Sequence, residues 1–434
     1  MIKTKGFGRI LLMEEKVFII HGQKPLSGEV EISGYKNAAG PILAATLLSD
    51  EDFIIKNLPL VEDVLNLIEI LEKLGSRVEW IGKNSIKINN KNINLNNIDF
   101  EKIKQSRVSV LLIGSLLARF GNFKISRPGG DRIGLRQITT HLDAFKKLGV
   151  KLEEDSDYYY FYGEKIKPGT LILKEFSVTA TENLMMAVSL LEGETIIKMA
   201  ALEPQIQDLG DFLIKMGVQI EGLKTHTLKI KGKKKLKGVE HTIISDPTEA
   251  ATFIIAGCLT PGEVVIKNLV SEYLDSTIDK LKEIGVNIEE INDKTLIVRF
   301  SPVLQPTKVQ ALPFPGFPTD VLPLIATLLT QANGKSLIHD PMYENRLNYI
   351  HELRKMGADI EIVDPHRAFI FGKTKLKGVE IGSLDIRAGA SLVLAAILAD
   401  GKTTIKDIHQ IDRGYEKIDE KLKKLGADIE RISQ

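Results

Sequence analysis

The 434-residue chain contains a single cysteine, Cys258. One thiol excludes an internal disulfide and a thiolate zinc cluster, and it fits a reducing cytoplasm. An excess of charge of either sign is also missing: 58 Lys and Arg stand against 57 Asp and Glu, a net charge of +1. That balance gives no overall footprint for nucleic acid or an anionic membrane. No apolar run reaches the ~18 residues of a membrane span. Neither nucleic acid nor membrane is therefore expected as a partner. The eight histidines show no HExxH or paired metal spacing, so no metal site is expected. Neither a phosphate-cradling GxxxxGKS/T loop nor a GxSxG nucleophile elbow occurs. The N-terminal stretch MIKTKGFGRILLMEEKVFII has basic residues and a short apolar run. Glu14, Glu15 and Lys16 break that run, and no small-residue cleavage site follows, which reads against a signal peptide.

What the chain does have is repetition. Its length predicts two or three domains, and its ordinary apolar content supports a sizeable core. One pattern recurs six times: an amphipathic helix end, a glycine, then an alternating strand. The copies run from LEKLGSRVEW at 71 to LKKLGADIER at 422, with glycines at 75, 149, 217, 285, 357 and 426. Glycine after a Lys-rich last turn is the expected left-handed helix stop. A second element stands about 25 residues earlier in each unit: an apolar helix, a turn, then a strand. PILAATLL at 41, NLMMAVSLL at 183, AATFIIAGCL at 250 and SLVLAAILA at 391 are four of its six copies. These helices have almost no polar face and so belong in an interior. Cys258 lies within one of them and reads as core. The strands alternate, so their sheets should be wet on one face. Units of about 70 residues are too small to stand alone, and three per globule would give two domains, a grouping that the repeat alone does not fix.

The informative polar residues sit where the buried helices begin. They are Lys36 and Asn37, Arg107, Ser177 to Thr179 with Glu182, Asp246 and Glu249, Asp320, and Asp385 with Arg387. Helix N-termini attract anions. If the six starts face one cleft, they form an anion-binding mouth. Ser177 and Asp246 have a simpler explanation as N-caps. Capping does not account for Lys36, Arg107 or Arg387, because a cation at a helix N-terminus opposes the dipole. Three further segments add cations: RPGGDRIGLRQ at 127, with Asp131, Arg132 and Arg136, reads as a mobile surface loop of the kind that can act as a lid. YENR places Arg346 at the start of a helix, and IDRGYEKI places Arg413 ahead of another. Modules with such a mouth serve binding proteins as well as enzymes, so chemistry does not follow from these residues alone.

PLSGEVEISGYKNAAGPILAATLL, RPGGDRIGLRQ, SVTATENLMMA, FPTD, YENR and IDRGYEKI together resemble the UDP-N-acetylglucosamine 1-carboxyvinyltransferase family of enolpyruvyl transferases, from about residue 16 to 434. The resemblance implies an α/β fold, a two-domain inside-out α/β barrel of six repeated units with buried helices and sheets outside. It implies one discontinuous domain, 1–35 plus 245–434, carrying the proton-abstracting Asp, and a second, 36–244, carrying the PGG loop. It implies a cytoplasmic enzyme, without metal or organic cofactor, whose partners are phosphoenolpyruvate and UDP-N-acetylglucosamine. Enolpyruvyl would pass to the sugar 3′-hydroxyl with release of phosphate, opening peptidoglycan synthesis. By the same resemblance Lys36, Arg136 and Arg413 hold phosphoenolpyruvate, with Asn37 beside them, and Asp320 accepts the hydroxyl proton. Arg107, Arg136, Ser177, Val178 and Met342 line the nucleotide-sugar site. Arg346 and Asp385 complete the catalytic cluster.

The chain departs from the family pattern at several positions. The PGG loop usually carries a cysteine as proton donor, and here the residue is Asp131. A carboxylate is a far weaker nucleophile than a thiolate, so resistance to epoxide drugs of the fosfomycin type is expected. Gln205 follows Glu203-Pro204 where a second glutamate is usual, Gln410 replaces a histidine, and Gln137 and Thr139 alter the stretch after Arg136. Family chains begin near VFIIHG, so Met13 is the expected start. Two rivals remain open at this point. One is a catalytically silent UDP-sugar-binding paralogue. The other is the sibling 3-phosphoshikimate 1-carboxyvinyltransferase, which SGYKNAAG and IDRGYEKI disfavour.

Overall fold

A computed structural model describes residues 16–105, 107–129 and 138–433. All six repeat glycines stand just past a helix in the left-handed region, with φ between 96° and 112°. At the first of them, Gly75 N–H donates to the Glu72 carbonyl at 3.0 Å and Ser76 N–H to that of Leu71 at 2.9 Å. The helix end is thereby sealed and the chain turned into the next strand.

The six apolar segments form helices, Lys36–Thr46, Leu112–Phe120, Val178–Val188, Pro247–Leu259, Leu322–Leu329 and Ile386–Leu398. Short 3-10 turns, Arg107–Leu111 and Thr319–Val321, lead into the second and fifth. Nearly every residue of these helices is buried, as their lack of a polar face requires. Small residues allow the helices to approach. Gly114 N–H donates to Asn183 Oδ1 at 2.7 Å, and a Cβ on Gly114 would lie only 2.3 Å from the Asn183 carbonyl oxygen.

Among the described residues there are six separate sheets, five of four strands and one of three. The strands after the buried helices alternate buried and more exposed side chains, so the sheets cover the helices and keep one face wet. In the three-stranded sheet, Phe123–Ser126, Tyr158–Tyr162 and Lys151–Glu154, the helix Phe100–Gln105 takes the place of a fourth strand. Ser126 Oγ donates to the Phe100 carbonyl at 2.9 Å, and the Phe100 ring meets Tyr158 edge-on at 5.0 Å. The edge is thus covered.

The N-terminal strand Lys16–His21 pairs between Lys402–Lys406 and Asp428–Ser433, and Gly28–Glu31 runs parallel to Glu263–Lys267. The start of the chain therefore completes sheets of its C-terminal part. Buried apolar residues fall into two clusters. One combines Phe18 to Ile32 with Ala250 to Ile429, and the other spans Tyr35 to Ile243. The chain passes between them twice, side by side. Tyr35 N–H donates to the Ile244 carbonyl at 2.7 Å, and Asp246 N–H to that of Ser33 at 2.9 Å. No described helix is long and apolar enough to cross a membrane.

Candidate active site

A cavity of about 280 Å³ opens between the two clusters, and its wall is built at the N-terminal ends of all six buried helices, by the 3-10 turns leading into the second and fifth and by the first turns of the others. Lys36, Arg107, Val178, Pro247, Asp320 and Asp385 supply one lining residue from each helix start. Asn37, Met342, Arg346, Arg387 and Arg413 line the same space. Ser177 does not line it. It caps Val178–Val188, accepting from Ala180 N–H at 3.4 Å, and so fixes Val178 at the wall. Asp131 and Arg136 lie outside the described residues.

One side of the cavity is built on Asp320, which follows the FP turn and is pinned at both oxygens. Oδ2 accepts from Arg387 Nε at 3.0 Å, and Oδ1 accepts from Arg346 Nη2. Burial would raise this carboxyl, but Arg387 and Arg346 outweigh it and hold Asp320 well below the ordinary carboxylate range. Asp385 caps Ile386–Leu398, its Oδ1 accepting from Arg387 N–H and Ala388 N–H at 2.9 Å each. The cap anchors the backbone of Arg387, which explains how a cation is held at a helix start. Arg387 is only 3% exposed, yet among the described residues its Nη1 and Nη2 make no hydrogen bond. Arg346 Nε and Asp385 Oδ2 are likewise buried without a hydrogen-bond partner among the described residues. Buried charged groups left this way are costly, and here they converge on one cavity. Met342 is placed by a turn in which its N–H donates to Asp340 Oδ1 at 2.9 Å.

On the other side Lys36 begins its helix, where no side chain caps the N-terminus. Its Nζ donates to Asp63 Oδ2 at 2.8 Å, and Arg413 Nε donates to Asp63 Oδ1 at 3.1 Å. Burial would raise Asp63, but the two cations overcome it and lower the carboxyl. Asn37 Nδ2 donates to Tyr35 Oη at 3.1 Å.

Glu182 and Glu203 complete the far wall. Burial first, then the charge of Glu203, pushes the Glu182 carboxyl well above its usual range. Burial also raises Glu203, although backbone N–H groups, including that of Phe314, oppose the rise. Behind them His141 is linked to Thr179 Oγ1 through Nε2 at 2.8 Å. Burial, with Arg107 second, lowers His141 to about 3, so the ring is neutral. Cys258 is buried away from this site, its thiol pushed up by burial.

Asp63 was invisible as a site residue in sequence. It stands in the first turn of the helix Glu62–Leu74, where an acid is the ordinary complement to the dipole. Arg387 was legible as a cation out of place, though with no assigned partner. Glu182 stood out as a polar residue at a buried helix start.

The arrangement offers fixed cations for an anion, an ionised carboxylate and neutral hydrogen-bonding groups in one partly enclosed space. The EPSP synthase (3-phosphoshikimate 1-carboxyvinyltransferase) family pattern matches residues 20–422. The UDP-N-acetylglucosamine 1-carboxyvinyltransferase of Finegoldia magna is 43% identical over 409 residues, 94% of this chain and 96% of that relative. UDP-N-acetylglucosamine 1-carboxyvinyltransferase 2 of Carboxydothermus hydrogenoformans is 42% identical over 417 residues, 96% of this chain and 99% of the relative. Among solved structures, the enolpyruvyl transferase NikO from Streptomyces tendae aligns with a TM-score of 0.88 at 24% identity, over 97% of this chain and all of that one. That likeness shows the fold alone. Fold and family pattern together define a protein of the EPSP synthase class. Within that class, full-length identity above 40% makes the chain a member of the UDP-N-acetylglucosamine 1-carboxyvinyltransferase family.

Proposed function

We propose that this chain transfers enolpyruvyl from phosphoenolpyruvate to the 3′-hydroxyl of UDP-N-acetylglucosamine, releasing phosphate. The observation that carries the reading is the convergence of six helix starts on a cavity holding Lys36, Arg346, Arg387 and Arg413 beside the ionised Asp320. Phosphoenolpyruvate brings a phosphate and a carboxylate, and arginine forks suit both. Lys36 and Arg413, with Arg136 of the loop, hold it. The terminal nitrogens of Arg387, without a hydrogen-bond partner among the described residues, supply further donors. Val178, Met342 and Arg107, with Ser177 fixing the helix start, border the nucleotide sugar.

The reaction proceeds by addition, then elimination. A proton from Asp131 adds to the methylene carbon while the sugar oxygen bonds to the neighbouring carbon, and Asp320 takes the hydroxyl proton. Asp320 is a weak base because two arginines stabilise its charge. It succeeds as a general base when proton transfer accompanies C–O bond formation, because the attacking oxygen becomes strongly acidic at that moment. The resulting ketal returns a proton from its methyl group to the Asp131 carboxylate as phosphate departs with the C–O electron pair, regenerating the double bond. The two core clusters support the division into 36–244 and 1–35 plus 245–434, with the reaction at their junction. The test is mass spectrometry of the nucleotide sugar after incubation with phosphoenolpyruvate. Addition of one enolpyruvyl group supports the reading, and an unchanged nucleotide sugar rejects it.

A further inference from the structure

We propose that Asp63 is a positioning residue that governs how tightly the phosphate is held and how readily it leaves. The inference deepens the reading above, because it rests on Lys36 and Arg413 being the cations that take the phosphate. Asp63 engages both with separate oxygens, at 2.8 and 3.1 Å, and all three side chains line the cavity at 12–14% exposure. Two features make this more than an ordinary ion pair. First, Asp63 does not serve its own helix. The residue sits in the first turn of Glu62–Leu74, but the N-cap Val61 provides no side-chain cap and both Asp63 oxygens are committed to the cations. Second, the contact joins the two core clusters, since Lys36 and Asp63 belong to one part of the chain and Arg413 to the other.

A second contact holds the two strips in register. Glu416, three residues after Arg413, is buried and accepts from Leu60 N–H at 3.0 Å and Asn84 Nδ2 at 3.1 Å. Leu60 lies three residues before Asp63, so the segments carrying the two partners are tied together at a second point. The alignment of Asp63 with Arg413 is therefore built into the fold.

The consequence is electrostatic. Lys36 and Arg413 alone present two positive charges to an anion, and with Asp63 the trio presents one. A phosphate bound to the pair is attracted less strongly than it would be without the carboxylate. When it leaves, Asp63 still offsets one of the two positive charges that the phosphate had neutralised. Asp63 thus trades phosphate affinity for release.

The test is inorganic phosphate as a product inhibitor of the full-length enzyme. Asp63→Asn keeps the shape and removes the charge. Phosphate inhibition is expected to tighten by about tenfold, the effect of one charge at this range in a partly buried site. Both kcat and KM for phosphoenolpyruvate should fall. Asp63→Ser removes the same charge with a smaller side chain and should shift the phosphate constant in the same direction. Asp63→Glu restores the charge and should return the constant towards wild type. A purely structural Asp63 would weaken phosphate and substrate together. Phosphate inhibition unchanged or weaker in whichever of the Asn and Ser variants folds would overturn the proposal. Phosphate inhibition unaffected by Lys36→Ala and by Arg413→Ala would instead overturn the underlying assignment of those cations, and the two failures are read in different variants.

Discussion

Asp320 has to remain ionised in a partly buried site, and Arg387 and Arg346 achieve that by occupying one oxygen each. The cost is base strength, and the gain is a carboxylate fixed in orientation. Asp320→Asn leaves the shape and removes the acceptor of the proton. Its kcat should fall by roughly 10²–10⁴, the usual worth of a general base, with a smaller change in substrate binding. Steady-state kinetics with both substrates would check this, and a kcat within a factor of a few of wild type would exclude Asp320 as the base. His141 yields a pH prediction. Burial depresses its folded value to about 3 against an unfolded value of about 6.5. The neutral ring is the folded form, so His141 imposes no proton-linked penalty above pH ~6.5. Stability is lost as pH falls from there towards 3, at about 1.4 kcal/mol per pH unit for this one group. Denaturant titrations of wild type and His141→Gln between pH 7 and 4 should converge or cross as the pH drops. Parallel curves would contradict the assignment. Lys36, Arg107, Asp320, Arg346, Asp385 and Arg413 were legible in sequence because each is polar where the local pattern demands something else, or stands in a motif the family shares. Asp63 was not, because an acid in a first helical turn satisfies every local rule. Only the path of the chain brings it to Arg413, 350 residues away.

At the scale of elements, the repeat was legible almost completely. Glycine after a basic last turn has a local cause, and all six glycines adopt the backbone that cause requires. The all-apolar helices were likewise marked for burial by composition. The three-stranded sheet was not legible, because whether a helix or a strand covers an edge depends on tertiary packing around Phe100–Gln105. Close packing of the interior helices gives a prediction of its own. Alanine is normally the better helix former, favoured over glycine by up to about 1 kcal/mol. At Gly114 the order should reverse, because a Cβ would meet the backbone oxygen of Asn183 at 2.3 Å. Gly114→Ala should destabilise by about 1–3 kcal/mol, the usual cost of overpacking. Chemical denaturation measures it, and a stabilised variant would show that these two helices move apart freely. Since Asn183 and Val178 share one helix, the variant should also raise KM for the nucleotide sugar.

At the scale of the molecule, two apolar clusters meet across a polar, charged cavity, with the chain crossing between them at 33–35 and 244–246. The contacts across the junction include Asp63 with Arg413 and Glu416 with Leu60 and Asn84. Polar junctions of this kind couple domains weakly compared with shared apolar cores. Calorimetry of the unliganded protein should resolve two unfolding transitions, merging as substrates bind across the junction. A single two-state transition without ligand would contradict two separately cored domains. The near-neutral overall charge conceals the same division of labour, with cations concentrated on the cavity and compensated by paired carboxylates. The central claim is that this cavity moves enolpyruvyl to a nucleotide sugar. Its most direct measurement is phosphate release by the purified protein given phosphoenolpyruvate and UDP-N-acetylglucosamine, separately and together. Release should require both substrates. No release from the complete mixture while UDP-N-acetylglucosamine binds, or release supported by shikimate 3-phosphate in its place, would contradict the account.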